Sequence, residues 1–579
     1  MQTADYICAL RGFVDREYDA GTAQVVDLWR QSVGERVAEG EAVAGVEIVR
    51  VQHPYAWLRC SDNLSKFRPG DMLRLNRGNP FEFPRYSCEL EEDHGTDLVI
   101  RAGYQVNFYG LSPGYGWVLD RDIVDIRFLL HGVLDQLGDD SSHSRYVVNL
   151  LMGKNRPVLD PATSQQAERM ARDLGLDASQ TEAFGAAFSS QNFYLIQGPP
   201  GTGKTFVLAH LAAALARRGE RVLVTAFTHR AINNALRKIA QVTGFEHVAK
   251  IGQRIRADDL EWEGGAVPNY EQLAASPYMK DDTGLILGGT CFALRTRRLR
   301  DVWFDTVIFD EAGQVTLPLA AAGMLAGRRH ILIGDHKQMA PVIVAEHETQ
   351  WVTRSVFETL FSSTPGTMLS TTYRMNAQVN EYPSQHFYGG RLQPSSKARD
   401  RFLRLDGQPG QFAHLLGPTP ASVFLSVEHS GKGMRAPEEA ELAAGIVSEA
   451  VSRGLRPTEI AVVAPYRAQV RLIRNALRDR GLQPGGEGVV VDTVERIQGQ
   501  ERDVIVVSLT TSDPGHAAER AEFYFQPNRL NVAITRPRVK RIVIGSPRLF
   551  EAQPADAEHR RWVEHFRGLY EASQVFDAP

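Results

Sequence analysis

The fold of this chain is decided by the sequence QGPPGTGKT at residues 197–205. An apolar run at 193–196 predicts a buried strand before it, and the apolar positions of 206–218 lie on one helical face after it. Strand, glycine-rich loop and helix is the context of a phosphate-binding loop, because glycines let backbone N–H groups turn inward and a helix N-terminus attracts anions. We predict that Lys204 reaches the β and γ phosphates of a nucleotide and that the Thr205 hydroxyl holds Mg²⁺. A chance glycine-rich turn is the competing interpretation, and it does not account for the flanking strand and helix.

The composition predicts several folded domains and excludes a globally disordered chain. The sequence has 579 residues, 43% of them hydrophobic, which is enough for roughly three or four domains. It has no apolar run of about 18 residues and no apolar signal-peptide core near its N-terminus. Its four cysteines are scattered without zinc-site or disulfide spacing. With a net charge of −4, we expect a cytoplasmic protein with no membrane partner, whose basic residues line at most a local groove.

Changes in sequence texture predict a β-module followed by two α/β domains. Short β-like runs separated by Gly, Pro, Asn and Asp fill the module, and helical patterns precede and follow it, the second over 120–137. We predict an accessory β-barrel on a helical stalk, with an ordinary N-terminal β-domain as the alternative. The predicted boundaries are 1–40 for the N-terminal segment and first stalk helix, 41–119 for the barrel, 120–157 for the second stalk helix and linker, and 158–365 and 366–579 for the α/β domains.

Apolar strands alternate with helical patterns in both α/β domains, which predicts parallel sheets covered on both faces. Acids, glycines and prolines at 245–283 predict a small surface insertion in the first domain. Only the first domain has a phosphate-binding loop. The strands predicted for the second domain are 368–369, 423–425, 460–464, 489–491, 504–509 and 542–544.

Polar residues after two further predicted strands complete the phosphate chemistry. The sequence VIFDEAGQ at 307–314 ends a buried strand in Asp310 and Glu311. Beside a phosphate-binding loop, this places Asp310 near Mg²⁺ and lets Glu311 orient and activate water. The sequence GDHKQMAP at 334–341 follows the next strand, and Gln338 can donate and accept hydrogen bonds, which suits sensing a γ-phosphate. Solvated acids and a polar turn glutamine are the alternatives, and their place on the same sheet as Lys204 favours the functional interpretation.

Seven motifs follow one another along the chain: GPPGTGKT at 198–205, DEAGQ at 310–314, GDHKQMAP at 334–341, TYRMN at 372–376, APYRAQV at 464–470, VERIQGQERDVIVVSLT at 494–510 and NVAITRPR at 531–538. In this order they resemble the superfamily 1 helicases over about 170–550. The chain is most similar to the up-frameshift-like branch, which includes the immunoglobulin-mu-binding-protein helicase and senataxin and carries a barrel on a two-helix stalk. Two positions depart from the family pattern, since Ile497 replaces a usual Phe and Met339 begins Met-Ala-Pro in place of Leu-Pro-Pro.

The resemblance implies two tandem RecA-like domains with ATP and Mg²⁺ bound in the cleft between them. It implies that Gln180 reads the adenine edge and that Tyr373 stacks on the base. Arg374 and Arg536, from the second domain, would supply positive charge to the γ-phosphate, and Glu501 would bind the ribose or couple the nucleotide to the strand. The phosphate contacts are expected from Gly198, Pro199, Pro200, Gly201, Thr202, Gly203, Lys204 and Thr205.

The resemblance also places nucleic-acid contacts on both α/β domains. A basic segment at 295–300 contains four arginines and either lines the strand path or forms a solvated helix face. The residues expected to touch the strand are Thr228, Pro341, Arg467 and Thr493.

The function that the resemblance implies is an ATP-dependent helicase or translocase on single-stranded DNA or RNA, moving 5′ to 3′ as a monomer. The alternative is an ATP-gated binding or recruitment module in a larger complex, with little unwinding. A small-molecule kinase is a third class, and it leaves the second α/β domain without a role. The full set of hydrolytic residues favours the motor.

Overall fold

The computed structural model describes residues 1–63, 65–67, 69–103, 105–253, 257–279, 282–486, 488–494, 497 and 499–579. Parts of several predicted features lie outside these residues: 64, 68 and 104 in the predicted barrel, 254–256, 280 and 281 in the predicted insertion, 487 in the second α/β domain, and 495, 496 and 498 in the motif at 494–510. Over the described ranges, no helix has both the length and the apolar character needed to cross a membrane.

The N-terminal part of the chain is a closed β-barrel attached to helices. Helices α1 (Thr3–Arg30) and α2 (Val33–Ala38) precede the barrel strands β1 (Ala42–Gln52), β2 (Tyr55–Arg59), β3 (Met72–Asn76), β4 (Tyr86–Asp93), β5 (Asp97–Ala102) and β6 (Gly114–Arg121). Neighbouring strands pair antiparallel around the barrel in the order β1-β2-β5-β4-β3-β6. The predicted barrel is confirmed.

Two helices after the barrel connect it to the α/β domains. Helix α3 (Arg127–Leu137) runs antiparallel to α1, since Arg11 pairs with Asp135 at 2.7 Å and Asp15 contacts His131 at 2.8 Å. Helix α4 (Ser142–Leu151) follows. The helix predicted over 120–137 therefore begins later than expected, because its first two residues pair with β1 and β3 as the end of β6.

The first α/β domain is built on a parallel sheet. Its strands are β7 (Phe193–Gln197), β8 (Arg221–Thr225), β9 (Val248–Ile251), β12 (Asn269–Tyr270), β13 (Leu285–Gly288), β14 (Phe304–Phe309), β15 (Gly327–Gly334) and β16 (Thr367–Met368), with a small hairpin of β10 (Glu261–Trp262) and β11 (Gly265–Ala266). Among the described residues, the sheet has eight strands in the order β12-β9-β13-β8-β14-β15-β7-β16. Its helices are α5 (Pro161–Asp173), α6 (Ala178–Ser189), α7 (Lys204–Arg217), α8 (His229–Thr243), α9 (Leu317–Met324) and α10 (Val356–Ser363).

The second α/β domain has its own parallel sheet. After the short strands β17 (Thr371–Thr372) and β18 (Gln393–Pro394), its strands are β19 (Ser422–Ser426), β20 (Ile460–Val463), β21 (Val490–Asp492), β22 (Arg502–Ser508), β23 (Pro537–Gly545) and β24 (Gln574–Asp577). In the part of the chain that the structure describes, six of them pair in the order β21-β20-β22-β23-β19-β24. Its helices are α11 (Ala377–Tyr388), α12 (Ser396–Arg399), α13 (Pro437–Ser452), α14 (Arg467–Asp479), α15 (Pro514–Glu519), α16 (Ala521–Phe525), α17 (Pro527–Ile534) and α18 (Ala557–Glu571).

The structure confirms the predicted α/β class with two parallel sheets and corrects two strand assignments. The strand at 368–369 was assigned to the second domain, but β16 pairs with β7 at the edge of the first sheet. The segment 245–283 was expected to be a surface insertion, but it contributes β9 and β12 to the first sheet. Both errors concern strands of four residues or fewer, whose apolar pattern is too short to show which sheet they join.

A buried ion pair joins α2 to the barrel. Arg36 Nε lies 2.6 Å from Asp120 Oδ1, and the two side chains are 2% and 1% exposed. Arg36 also donates to the backbone carbonyls of Gln31 and Gly78, and Asn76 Nδ2 donates to Asp120 Oδ2 at 2.8 Å. Each buried charge is therefore paired and hydrogen-bonded, the condition under which a buried pair is tolerated.

We predict that Arg36→Ala lowers the free energy of unfolding of the barrel by about 3–5 kcal/mol, because Asp120 is left charged and buried without its cation. Arg59→Ala is the matched control, since Arg59 pairs with Asp97 at 2.9 Å on the barrel surface. The control should lose no more than about 1 kcal/mol. Urea denaturation followed by tryptophan fluorescence measures both variants, and equal losses would contradict the prediction.

Candidate functional site

The loop between β7 and α7 has the shape that a phosphate chain requires. Gly201 and Gly203 adopt left-handed backbone angles, with φ of 73° and 77°. A Cβ on Gly198 would lie 1.9 Å from Lys204 Cγ, so glycine alone leaves room for the lysine to fold over the loop. Lys204 Nζ donates to the Gly198 carbonyl at 2.7 Å. The predicted loop residues are thus together at the N-terminus of α7, where unpaired backbone N–H groups favour an anion.

The acidic pair lies at the end of β14, beside the loop. Asp310 is 3% exposed, and burial together with the Glu311 charge raises the pKa of its carboxyl to about 7, while Lys204 acts in the opposite direction. Glu311 has a left-handed backbone with φ of 48°, which is strained for a residue with a side chain. Such strain costs on the order of 1–3 kcal/mol and is typical of functional positions. Lys204 and Glu311 therefore both lie close enough to Asp310 for their charges to interact with it.

Gln338 lies on the loop after β15, where both ends of its amide are bound. Its Nε2 donates to Asp335 Oδ2 at 2.8 Å, and its Oε1 accepts from Arg536 Nη2 at 3.4 Å. Gln338 is 5% exposed. Because Arg536 belongs to the second domain, the predicted phosphate sensor is contacted from across the cleft.

The two predicted arginines reach the first domain. Arg374 lies two residues after β17, where the chain passes from β16 of the first sheet into the second domain. Its Nε lies 2.7 Å from Glu501 Oε2, and its Nη1 donates to the Thr535 carbonyl at 3.0 Å. Burial and then Arg374 lower the pKa of Arg536 to about 9, whereas Glu311 raises it. The Arg536 guanidinium is therefore close enough to interact with Glu311, and Arg374 lies against Gly201 of the phosphate-binding loop through its Cβ.

Glu501 holds Arg374 in this structure, and the nucleotide role expected for it stays a prediction. Burial opposes ionisation of Glu501, but the Arg374 charge and hydrogen bond outweigh it and keep the pKa of the carboxyl below its usual value. Arg538 Nη1 lies 3.9 Å from the other carboxylate oxygen.

The residues expected to bind the adenine base are also together. Asp177 caps α6 in a box with Gln180, and the Tyr373 hydroxyl donates to Asp177 Oδ2 at 2.7 Å. Gln180 is 3% exposed and donates to the Thr202 carbonyl at 3.0 Å, so its amide supports the phosphate-binding loop. One amide hydrogen and one lone pair of Gln180 remain for a base edge. Tyr373 is 41% exposed, which leaves its ring available for stacking.

The predicted strand contacts follow the carboxyl ends of parallel strands. Thr228 caps α8 after β8, and Pro341 lies on the loop after β15. Arg467 begins α14 after β20, and Thr493 directly follows β21. Since β20 and β21 are neighbours, Arg467 and Thr493 lie at adjacent strand ends of the second sheet. Their contact with a strand stays a prediction.

Arg295, the first arginine of the basic segment at 295–300, neither lines the strand path nor lies on a solvated helix face. Arg295 ends a 3₁₀ turn (Ala293–Arg295), and its Nη1 donates to Gln136 Oε1 at 2.7 Å on α3. Its Nη2 donates to the Ala322 carbonyl at 3.3 Å on α9. Burial lowers the pKa of the Arg295 guanidinium. This arginine therefore fixes the stalk to the first α/β domain.

Helix α1 forms hydrogen bonds and a ring-stacking contact with the segment that follows Pro341. The Glu17 carboxylate accepts from the backbone N–H groups of Val344 at 2.9 Å and Ala345 at 3.0 Å, and lies 2.7 Å from His347 Nε2. The Tyr6 and Trp351 rings stack with their centroids 4.6 Å apart. The stalk is thus attached to the loop that carries a predicted strand contact.

The two side chains expected to hold Mg²⁺ offer the kind of ligand atoms that this ion binds. Thr205 is half-buried at the start of α7 and offers a hydroxyl, and Asp310 offers a buried carboxylate that accepts a hydrogen bond from the Glu311 backbone N–H at 3.0 Å. Oxygen ligands are those that Mg²⁺ prefers, with phosphates and water filling its remaining positions. Within the described residues, no group of three or more His, Cys, Asp or Glu side chains could hold a metal ion.

Four residues whose hydrogen bonds hold the side chains of this site were not predicted from the sequence: Asp177, Asp335, Tyr388 and Asn531. Asp177 and Asp335 stand next to residues that were singled out, and a strand-end acid and a helix cap were the available signals. Asn531 opens a recognised motif without an assigned role. Tyr388 carried no signal, because its contacts come from residues distant in sequence.

Two parallel-sheet domains, a phosphate-binding loop in one and two arginines from the other define a two-domain protein with the features of a nucleotide-binding cleft between its domains. Two family models, each described as an AAA domain, match residues 175–347 and 352–548. These findings confirm the predicted superfamily, and the up-frameshift-like branch stays a prediction.

The similar proteins share one description. The chain is 27% identical to the DNA replication ATP-dependent helicase/nuclease DNA2 of Homo sapiens and 27% identical to that of Mus musculus, over 85% and 78% of this chain. It is 28% identical to the DNA replication ATP-dependent helicase/nuclease JHS1 of Arabidopsis thaliana over 68% of this chain. The chain spans 52%, 47% and 30% of these relatives. Among solved structures, Arterivirus nonstructural protein 10 (helicase) matches with 15% identity and a TM-score of 0.39, over 86% of this chain and 78% of that one.

We predict that Glu311→Gln binds ATP and single strand normally but hydrolyses ATP at least about a hundredfold more slowly, because the amide cannot accept a proton from water. Glu346→Gln, at an exposed position of the same domain, is the control. Steady-state phosphate release and nucleotide binding measure the two effects. Near-normal turnover of Glu311→Gln would remove Glu311 from the base role.

We predict that Arg374→Ala and Arg536→Ala each lower strand-stimulated ATPase by at least about a hundredfold, because a guanidinium meets the charge that builds on the γ-phosphate oxygens. Arg536→Lys should rescue poorly, since a lysine lacks the planar fork of donors. Arg548→Ala, at an exposed position, should stay within about twofold of wild type.

Melting temperatures separate loss of chemistry from loss of fold in these variants. If both alanine variants hydrolyse ATP at the normal strand-stimulated rate, the composite cleft is not the catalytic site.

Proposed function

We propose that this chain is an ATP-dependent helicase or translocase that acts on single-stranded nucleic acid. The observation that carries the proposal is the contact between Arg536 of the second domain and Gln338 of the first. Catalytic groups from two domains meet only when the cleft is closed, so nucleotide binding and domain movement are linked. The names of the similar proteins, which describe ATP-dependent helicase/nucleases of DNA replication, support the same activity.

The proposed reaction is ATP hydrolysis in the cleft. Lys204 and the loop N–H groups bind the phosphates, and Thr205 and Asp310 hold Mg²⁺. Bound Mg²⁺ neutralises charge on the phosphates. Glu311 accepts a proton from the attacking water.

Gln338 of the first domain contacts the γ-phosphate. Arg374 and Arg536 approach it from the second domain, opposite the phosphate-binding loop. Gln338 can turn its amide toward either a phosphate oxygen or water, and the two arginines stabilise the charge of the transition state. Loss of the phosphate removes the partner of Arg536, which lets the second domain move. Repeated closing and opening along a bound strand gives translocation.

We infer that single-stranded DNA is the preferred partner, because the similar proteins are named for DNA replication. The strand would cross the carboxyl ends of both sheets, where Thr228, Pro341, Arg467 and Thr493 lie. We further propose a monomeric motor in the cytoplasm. Membership of the up-frameshift-like branch, and the 5′-to-3′ direction that it implies, rest on the motif order and on the barrel between α1 and α3.

The experiment that tests this function is an ATPase titration with single-stranded DNA and RNA of equal length and sequence. A motor predicts stimulation that saturates with strand concentration, and DNA preference predicts a lower half-saturating concentration for DNA. ATP binding without strand-stimulated hydrolysis would overturn the proposal. Hydrolysis without strand displacement would favour an ATP-gated binding module.

We predict that a duplex with a 5′ single-stranded overhang is unwound in the presence of ATP and that a matched duplex with a 3′ overhang is not. A gel assay with a labelled strand measures displacement. Glu311→Gln is the control for ATP dependence. Preference for the 3′ overhang would overturn the branch assignment and leave the ATPase proposal intact.

A further inference from the structure

A chain of buried hydrogen bonds crosses the cleft between the two α/β domains at Tyr388. The Tyr388 hydroxyl, at the end of α11, donates to Asp335 Oδ2 at 2.7 Å. Asn531, on α17, donates from Nδ2 to the Tyr388 oxygen at 2.8 Å and to the Lys337 carbonyl at 2.7 Å. Tyr388 is 3% exposed, Asp335 2% and Asn531 0%. Because Asn531 Nδ2 is a donor, the single hydroxyl hydrogen of Tyr388 is directed to Asp335.

Asp335 passes this contact to the nucleotide site. One carboxylate oxygen is shared between Tyr388 and Gln338 Nε2, the latter at 2.8 Å. The other oxygen accepts from Gln197 Nε2 at 3.2 Å and from the Lys337 backbone N–H at 3.1 Å. Gln197 is the last residue of β7, directly before the phosphate-binding loop. Asp335 therefore connects the loop strand, the predicted phosphate sensor and the second domain.

The hydrogen bond between Tyr388 and Asp335 is strong in this buried position, and Tyr388 is always its donor. Burial and the Asp335 charge raise the pKa of Tyr388 well above its usual value, so its hydroxyl stays protonated and remains a donor. Hydrogen bonds to an ionised carboxylate are stronger than neutral ones, and an unmet buried acceptor is unfavourable. Loss of the Tyr388 donor therefore leaves the Asp335 carboxylate short of one bond and held only by Gln197, Lys337 and Gln338 of the first domain.

The two domains meet at this place through apolar packing as well as through these bonds. A cavity of about 180 Å³ opens between the domains, lined in part by Gln197, His336, Lys337, Phe361, Phe387 and Arg391. Met339 of the first domain packs against the apolar cluster of the second domain that contains Tyr388, and the hydrogen-bonded chain supplies polar contacts between the domains here. A movement of the second domain thus acts on Asp335 through Tyr388.

We propose that Tyr388 is a positioning residue that holds the Asp335 carboxylate, and through it the Gln338 amide, in the catalytic arrangement when the second domain is docked. This inference rests on the proposed ATPase function. It assigns to Tyr388 the coupling of domain position to the phosphate sensor, without contact between Tyr388 and the nucleotide. The Gln338 amide is then oriented by two groups of the second domain, directly by Arg536 and indirectly by Tyr388.

The test compares Tyr388→Phe with Tyr382→Phe. Tyr382 lies on the same helix, is also 3% exposed, and donates its hydroxyl to the His565 carbonyl within the second domain. Both variants lose one buried hydroxyl, so a general loss of stability affects them alike. We expect Tyr388→Phe to lower strand-stimulated kcat about tenfold, with KM for ATP within about twofold, and Tyr382→Phe to stay within about twofold in both.

A double-mutant cycle with Gln338→Ala identifies the route. If Tyr388 acts through Gln338, Tyr388→Phe lowers kcat by less than about twofold further in the Gln338→Ala background. A purely structural role predicts that the two effects multiply. If Tyr388→Phe does not fold, Asn531→Ala removes the donor on the other side of the hydroxyl and should lower kcat in the same way.

The outcomes separate the inference from the proposed function. Normal kcat of Tyr388→Phe, a change in KM alone, or multiplying effects in the cycle overturns the positioning role and leaves the motor intact. Wild-type protein without strand-stimulated hydrolysis overturns the proposed function and the inference with it.

Discussion

The chain that leaves the first sheet is bonded to the phosphate-binding loop before it enters the second domain. Thr372 Oγ1 donates to the Pro200 carbonyl at 2.9 Å, and the Tyr373 backbone N–H donates to the Gly201 carbonyl at 2.8 Å. A Cβ on Gly201 would lie 2.4 Å from Arg374 Cβ, so the two backbones are as close as glycine permits. The shape of the loop and the entry of the chain into the second domain are therefore set together. The close approach also explains why Arg374 reaches the site although it is distant from the loop in sequence.

Two buried groups of opposite charge face this junction, and burial acts against the charge of each. The pKa of Asp310 is raised to about 7 and that of Arg536 is lowered to about 9, mainly because both side chains are removed from water. Burial of ionisable groups is tolerated where a partner compensates it, and such groups concentrate at functional sites. A cation beside Asp310 and an anion beside Arg536 favour the charged forms. The binding energy of a nucleotide is thus available to draw the two domains together.

Sequence patterns predicted the parts of this protein that follow from local chemistry. The phosphate-binding loop, the acids after β14, the two parallel sheets and the barrel all arise from strand periodicity and from residues adjacent in sequence. Short strands were assigned to the wrong place, since the membership of β16 and β12 depends on partners far along the chain. For the same reason the buried contacts of Asp335 and the attachment of Arg295 to α3 could not be predicted. Both depend on how domains pack, which no local pattern encodes.

Helix α1 contacts the segment after Pro341 through both its backbone and its side chains. Glu17 accepts from two consecutive backbone N–H groups, and it also contacts the His347 side chain at hydrogen-bond distance. At about 1.5 Å per residue, a helix of 28 residues extends roughly 40 Å, so the same rod reaches from this segment to the barrel. Because these two hydrogen bonds come from backbone N–H groups, most substitutions of the side chains in the segment do not remove them. Substitutions at Val344 and Ala345 that keep the backbone in place leave the two hydrogen bonds to Glu17 intact, whereas the contacts of His347 and Trp351 with α1 depend on their own rings.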